Sequence, residues 1–421
     1  MAKKKNPIFV YLFFSLSLIG LAGLIYLAAF LGEVFLGWGS AFHNTTTLAD
    51  FNGDGRLDVV VAHARYESES AIFAHTTLWT NQTNGRFSPQ RIAYHSSAAA
   101  GDLDGDGGSD LLLIDQTLLR IFENLGALQE SETGPFRSRF SINPPGDHGT
   151  AGTVYLGDLD GDGDLDGFVA GCCSMAFEEG STLKLYIPSH AWGWRNSLNE
   201  SPQPKFNTFS LKDLGDLRMR AAALGDLDGD GDLDVFAAVL APRLGGESGH
   251  PDLVLLNDGQ GNFTDSGQRL GNRSSTAVAL GDLDGDGDLD ALVGTSLDSL
   301  IWINQGGTQG GPAGQFELSE GVLASGETTH VFLADFDGDG DLDALIAGTR
   351  QARIWWNDGH GNFSRDPRQI FRFSPRHGLA VGDFNGDGHP DIFAGAYNYA
   401  YSLWLNHGDG IFRRAFIYWM R

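Results

Sequence analysis

The stretch Asp226-Leu-Asp-Gly-Asp-Gly-Asp-Leu-Asp234 decides how this chain is read. Counted from Asp226 as position 1, carboxylates stand at positions 1, 3, 5 and 9 and glycines at 4 and 6. Acids this close repel one another in a compact turn unless a cation holds them. Oxygen ligands in such number suit a hard dication, Ca²⁺ above all. Asp and Gly also build ordinary turns, so a single copy would say little. The stretch recurs seven times, beginning at Asp50, Asp102, Asp158, Asp226, Asp282, Asp335 and Asp383, with spacings of 52, 56, 68, 56, 53 and 48 residues.

Positions 1, 3, 5 and 9 supply the candidate metal ligands. They are Asp50, Asn52, Asp54 and Asp58; Asp102, Asp104, Asp106 and Asp110; Asp158, Asp160, Asp162 and Asp166; Asp226, Asp228, Asp230 and Asp234; Asp282, Asp284, Asp286 and Asp290; Asp335, Asp337, Asp339 and Asp343; Asp383, Asn385, Asp387 and Asp391. Up to seven Ca²⁺ ions are expected, one per loop. The glycines let the chain coil tightly, because glycine takes positive φ without steric cost. Position 7 offers its backbone carbonyl and so tolerates Arg56, Gly108 and His389 as well as Asp. Asn52 and Asn385 keep an oxygen but lose a charge, which predicts weaker sites in the first and last loops.

A period of this length signals a repeat architecture. Before each loop runs a segment of small and β-branched residues, such as Thr276-Ala-Val-Ala-Leu-Gly281, always ending in Gly or Ala. After it comes an apolar run, such as Val59-Val-Val-Ala62, suited to a strand covered on both faces. A third strand, often with Trp as in Ile354-Trp-Trp356, leads into a Gly turn such as Asn357-Asp-Gly-His-Gly-Asn-Phe363, a hairpin signal. Seven units of strand, acidic loop, strand, strand, turn and strand predict an all-β, seven-bladed β-propeller over residues 40–421. Blade 3 is the irregular unit. Its third strand is expected at Leu183–Ile187, with residues 188–205 as an insertion. Whether residues 38–44 complete the last blade is left open.

The formal charge is −26, which argues against nucleic acid or an anionic surface as partner. The loops hold 30 Asp, and seven dications would bring the total to about −12. Residues 1–7 are basic, and Ile8 to Gly32 is a run of 25 residues without charge. About 20 apolar residues cross a bilayer core, so residues 8–32 are expected to form a signal-anchor or transmembrane helix, with a cleaved signal peptide as the alternative. Either way the propeller is exported, held at the cell membrane or secreted. Cys172 and Cys173 are adjacent and form no disulfide framework.

An EF-hand requires a bidentate acid at position 12. Here Val61, Leu113, Val169, Ala237, Val293, Ile346 and Ala394 stand there, all apolar, so that reading is excluded. The loops and their strand context resemble the FG-GAP (VCBS-type) repeat family, which includes the propeller heads of integrin α-subunits. The resemblance spans about residues 40–421. It implies a propeller with Ca²⁺ bound between the first and second strands of a blade, through the positions named above. Loops in all seven blades, and no leg region afterwards, depart from integrins and resemble bacterial repeat proteins or integrin-like lectins.

No His-x-x-x-His, Gly-x-Ser-x-Gly or phosphate loop appears. The chain is therefore read as a calcium-stabilised extracytoplasmic binding or adhesion module for a protein or carbohydrate ligand. The alternatives are a lectin-like sugar binder or an exported polysaccharide-active enzyme. Aromatic and Arg residues on the less repetitive connections are the candidate ligand contacts: Arg65, Tyr66, Trp192, Trp194, Arg243, Tyr397 and Tyr399.

Overall fold

A computed structural model describes residues 43–68, 71–82, 86–93, 97–114, 119–126, 135–145, 152–171, 174–177, 184–187, 191–197, 206–211, 219–240, 250–323, 326–349, 351–373, 377–396 and 400–418. The expectations for residues 1–7 and 8–32, and for Cys172, Cys173, Arg243, Tyr397 and Tyr399, lie outside these residues. Among the described residues no helix is long and apolar enough to cross a membrane. The chain divides into two compact units, residues 1–42 with 64–73, and residues 43–63 with 74–421. In the first unit the described residues belong to strands. The second holds the remaining described strands of the seven blades.

Seven antiparallel sheets follow one another along the chain, and in each the strands pair in sequence order from first to fourth. In blade 1 these are His43–Ala49, Asp58–Ser68, Ala71–Gln82 and Arg86–Ala93. Blade 4 has Met219–Gly225, Asp234–Val239, Leu253–Asn257 and Phe263–Asp265. Blade 5 has Ser275–Gly281, Asp290–Thr295, Ser299–Asn304 and Phe316–Leu323. Blade 6 has Thr328–Ala334, Asp343–Gly348, Gln351–Asn357 and Phe363–Arg365, with Phe371–Arg372 also pairing on its third strand. The second strands read as continuous apolar runs because both faces are covered: Val59, Val60, Val61 and Ala62 are each 0% exposed. Seven apolar clusters fill the seven junctions between adjacent blades, including the one where blade 7 meets blade 1. There Trp79 and Phe87 pack on Phe393 and Tyr401, and the amide of Phe87 donates to the Tyr401 hydroxyl at 3.3 Å.

The Gly or Ala before each loop has a specific cause. A Cβ on Gly225 would stand 2.6 Å from Cδ1 of Leu289, which is position 8 of the next blade's loop. The same holds for Gly101 against Leu165, Gly157 against Leu233, Gly281 against Leu342 and, across the closure, Gly382 against Leu57. Two blades lack the glycine, at Ala49 and Ala334, and the loops that follow them carry Ser109 and Pro390 in place of that leucine. Small packs against large in these five junctions.

Two expectations are corrected. The third strand of blade 3 is Trp192–Asn196, which pairs with Asp166–Gly171 on one side and Phe206–Ser210 on the other. The extra residues are an inserted hairpin, Ser174–Phe177 with Lys184–Ile187, placed between the second and third strands. A Cβ on Gly167 would collide with the Trp194 ring, so this strand's packing was written in residues outside it. The blade 1 connection expected to carry Arg65 and Tyr66 is strand, within Asp58–Ser68. Of residues 38–44, whose place was left open above, His43 and Asn44 are described. His43 opens the first strand of blade 1, and blade 7 consists of His377–Gly382, Asp391–Ala396, Tyr401–Leu405 and Arg413–Tyr418.

Candidate metal centres and binding surface

In every blade the acidic stretch joins the first strand to the second. The glycines at positions 4 and 6 all have positive φ, for example 79° at Gly229 and 97° at Gly231. This turns backbone N–H groups inward onto the first aspartate. Gly229 N donates to Asp226 Oδ1 at 2.7 Å and Gly231 N to Oδ2 at 3.0 Å, and the other six loops repeat both bonds.

Position 9 is a buried hub. Asp234 Oδ2 accepts from Leu227 N at 2.9 Å and Oδ1 from Asn257 N at 2.8 Å, tying the loop to the end of the third strand. Asn257 Nδ2 then donates across the junction to the carbonyl of Leu159, position 2 of the preceding loop, at 2.8 Å. The same relay recurs at Asn81, Asn124, Asn196, Asn304, Asn357 and Asn406. Asn81 reaches the Phe384 carbonyl and so closes the ring from blade 1 to blade 7. These asparagines look like turn residues in the sequence. Their recurrence at the end of all seven third strands was the signal for a second role. Burial pushes the carboxyls of Asp58 and Asp234 up to about 6, and those of Asp110, Asp166, Asp290, Asp343 and Asp391 to about 7, against the downward pull of their backbone hydrogen bonds.

Position 3 behaves differently. Oδ1 of Asp104, Asp160, Asp228, Asp284 and Asp337 is buried without a hydrogen-bond partner, in all five loops that carry Asp there. Burial, then repulsion from the position-5 carboxylate, raises each of these pKa values. In the same five loops three carboxylates bring one oxygen each within 4.8 Å of one another: Asp102, Asp104 and Asp110; Asp158, Asp160 and Asp166; Asp226, Asp228 and Asp230; Asp282, Asp284 and Asp290; Asp335, Asp337 and Asp339. Converging oxygens with one orphaned member fit a hard dication, which when bound would neutralise the charge and take up the free lone pairs.

The two asparagine loops satisfy themselves. Asn385 Nδ2 donates to Asp387 Oδ2 at 2.9 Å, and Asn52 Oδ1 accepts from Asp54 N at 3.0 Å while Arg56 pairs with Asp54. Blade 2 holds a feature the sequence did not signal. Arg139 on its fourth strand lies 2.7 Å from Asp104 Oδ2 and 2.8 Å from Glu123 Oε1, placing a fixed cation beside that loop.

Of the candidate ligand contacts, Trp192 and Trp194 have described side chains. Trp192 and Trp194 are 0% exposed and belong to the core between blades 2 and 3, so neither is free to stack on a sugar. They fill the sheet because their strand is the blade's third. Arg65 and Tyr66 lie within the second strand of blade 1, Asp58–Ser68.

A seven-bladed propeller whose blades each carry an acidic loop between strands one and two is defined by this geometry. Residues 50–113, 102–169, 226–293, 282–346 and 335–394 match the FG-GAP-like repeat, and the chain belongs to that family. No curated protein sequence matches it. Solved structures of similar fold include an Agrocybe aegerita lectin, described for its specific recognition of non-reducing terminal N-acetylglucosamine. It has 19% identity over 80% of this chain and 81% of that chain, with a TM-score of 0.50. A protein from Lactobacillus plantarum has 11% identity over 84% and 93% of the two chains, also with a TM-score of 0.50. At such identities the likeness concerns the fold.

Proposed function

We propose that this chain is a non-catalytic binding propeller, stabilised by Ca²⁺, that presents a ligand-recognition surface outside the cytoplasm. Residues 8–32 act as its membrane anchor or export signal. The observation that carries the metal reading is the orphaned position-3 oxygen, repeated in five loops. Ligands at positions 1, 3, 5 and 9 would hold each ion, with the Asn52 and Asn385 loops weakest. Through position 9 and the asparagine relay, each loop is bonded to both its own third strand and the preceding blade, so ordering the loops stiffens the ring.

The ligand is a protein or a glycan, and the lectin of like fold supports putting glycans first. The test is binding of the full chain to a glycan array and to an extracellular-protein array, in calcium and in EDTA. Saturable, calcium-dependent binding is expected. Release of reducing ends from any polysaccharide would overturn the non-catalytic reading, and an absence of ligands on both arrays would overturn the binding reading.

A further inference from the structure

We propose that the face of blade 6 turned toward blade 5 binds an acidic polysaccharide through Arg353, Arg365 and Arg372, a reading that rests on the binding function proposed above. Residues 350–376 hold six Arg against two Asp, in a chain whose formal charge is −26. The strand register brings three of these arginines to one face. Arg365 lies opposite Trp355 and Arg372 opposite Gln351, and directly paired residues of an antiparallel sheet project to the same side. Arg353 stands between Gln351 and Trp355 on the third strand and shares their face by alternation. Trp355 packs into the apolar cluster between blades 5 and 6, which shows where this face looks.

The rows carrying Arg372 and Arg365 are four residues apart along the third strand, about 13 Å at the usual rise. Arg353 sits between them, one strand inward. Arg365 and Arg372 are exposed and Arg353 half-buried.

Carboxylates abound in this chain, and several described arginines pair with one. Arg139 pairs with Asp104, Arg269 with Asp265, Arg273 with Asp298 and Arg368 with Asp366. Among the described residues, no carboxylate comes within ion-pair distance of Arg353, Arg365 or Arg372. Beside them the Trp355 Nε1–H is buried without an acceptor. Three unpaired guanidinium groups on one sheet face form a concentrated positive strip on a strongly negative molecule.

A guanidinium binds two-oxygen anions through a planar fork, so carboxylate and sulfate groups are the fitting chemistry. Three groups spread over this span match a chain with widely spaced charges. A nucleic acid carries a phosphate at every residue and meets the repulsion of the whole acidic molecule.

The test is biolayer interferometry of the full chain, in calcium, on polygalacturonate, dextran sulfate, neutral dextran and a single-stranded oligonucleotide. Binding to one or both acidic polymers and none to neutral dextran is expected, and which acidic polymer binds tells carboxylate from sulfate. Each of R353Q, R365Q and R372Q should weaken binding roughly twofold to fivefold, and the triple variant roughly fiftyfold. The melting temperature should be unchanged, because these side chains hold no partner. R353K/R365K/R372K keeps the charges but loses the fork, and should restore binding in part.

Indifference of the full chain to both acidic polymers, or undiminished binding by the triple variant, would overturn the proposal. So would equal, arginine-dependent binding of the oligonucleotide, which would assign the face to nucleic acid. If the triple variant still bound an array ligand while acidic polymers were ignored, only this inference would fall and the binding function would stand.

Discussion

Among the loop residues, aspartates that look equivalent in the sequence have opposite roles. Asp234 satisfies two backbone N–H groups from a fully buried position, whereas Asp228 Oδ1 satisfies nothing. Asp234→Ala should cost about 2–5 kcal/mol in the absence of calcium, because two buried donors are orphaned; urea denaturation in EDTA measures it. Asp228→Asn should raise the melting temperature in EDTA by relieving repulsion, shrink that loop's share of the calcium-induced rise, and weaken the binding of one ion in titration calorimetry, as expected for the Asn52 and Asn385 loops. A pH-dependent residue lies away from the loops. Asp252 accepts from Val239 N and the Ser275 hydroxyl, and burial pushes its carboxyl up to about 7. A pKa raised in the folded state means that folding favours the protonated form. Its contribution to stability is therefore greatest below the ordinary carboxylate pKa and is lost as pH rises from about 4 to about 7. The stability of Asp252→Asn relative to the parent should accordingly increase across that window, as followed by thermal melts at stepped pH.

Strands and their junctions were legible where two-residue periodicity or a sustained apolar run recurred in register. Second strands, whose residues face two neighbours, could be read almost residue by residue. The third strand of blade 3 could not. Lys184–Ile187 has the same apolar look as a sheet strand, and only its pairing with Ser174–Phe177 reveals a separate hairpin. The real strand is betrayed by Asn196, which makes the relay that every third strand makes. At this scale the Gly–Leu junction pairs make a sharp prediction. Gly225→Ala pushes a methyl into Leu289 and should cost about 1–3 kcal/mol. Combined with Leu289→Ala the loss should be smaller than the sum of the two single losses, and a double-mutant cycle on chemical denaturation would expose the coupling. Additive losses would show that the two residues do not meet.

For the molecule as a whole, the ring stands on seven apolar junctions and seven asparagine bridges, with the closure built like the other six. Ions that bind only the folded ring stabilise it by mass action. EDTA should therefore lower the melting temperature by many degrees, and calcium should restore it. An unchanged melt would remove the metal reading and leave the loops as self-bonded turns.

What the sequence by itself determined was the repeat, the strand order within a blade and the loop's pattern of acids and glycines. These are local properties, written in the spacing of acids and glycines and in two-residue alternation. The tertiary structure decided which acid is a hub and which an orphan, because that depends on N–H groups supplied by a strand 14 to 30 residues away. It also decided that Trp192 and Trp194 are core, since exposure depends on which strand lies alongside. The arginines of blade 6 belong to both: their clustering is visible in the chain, but only the sheet register sets Arg353, Arg365 and Arg372 on one face.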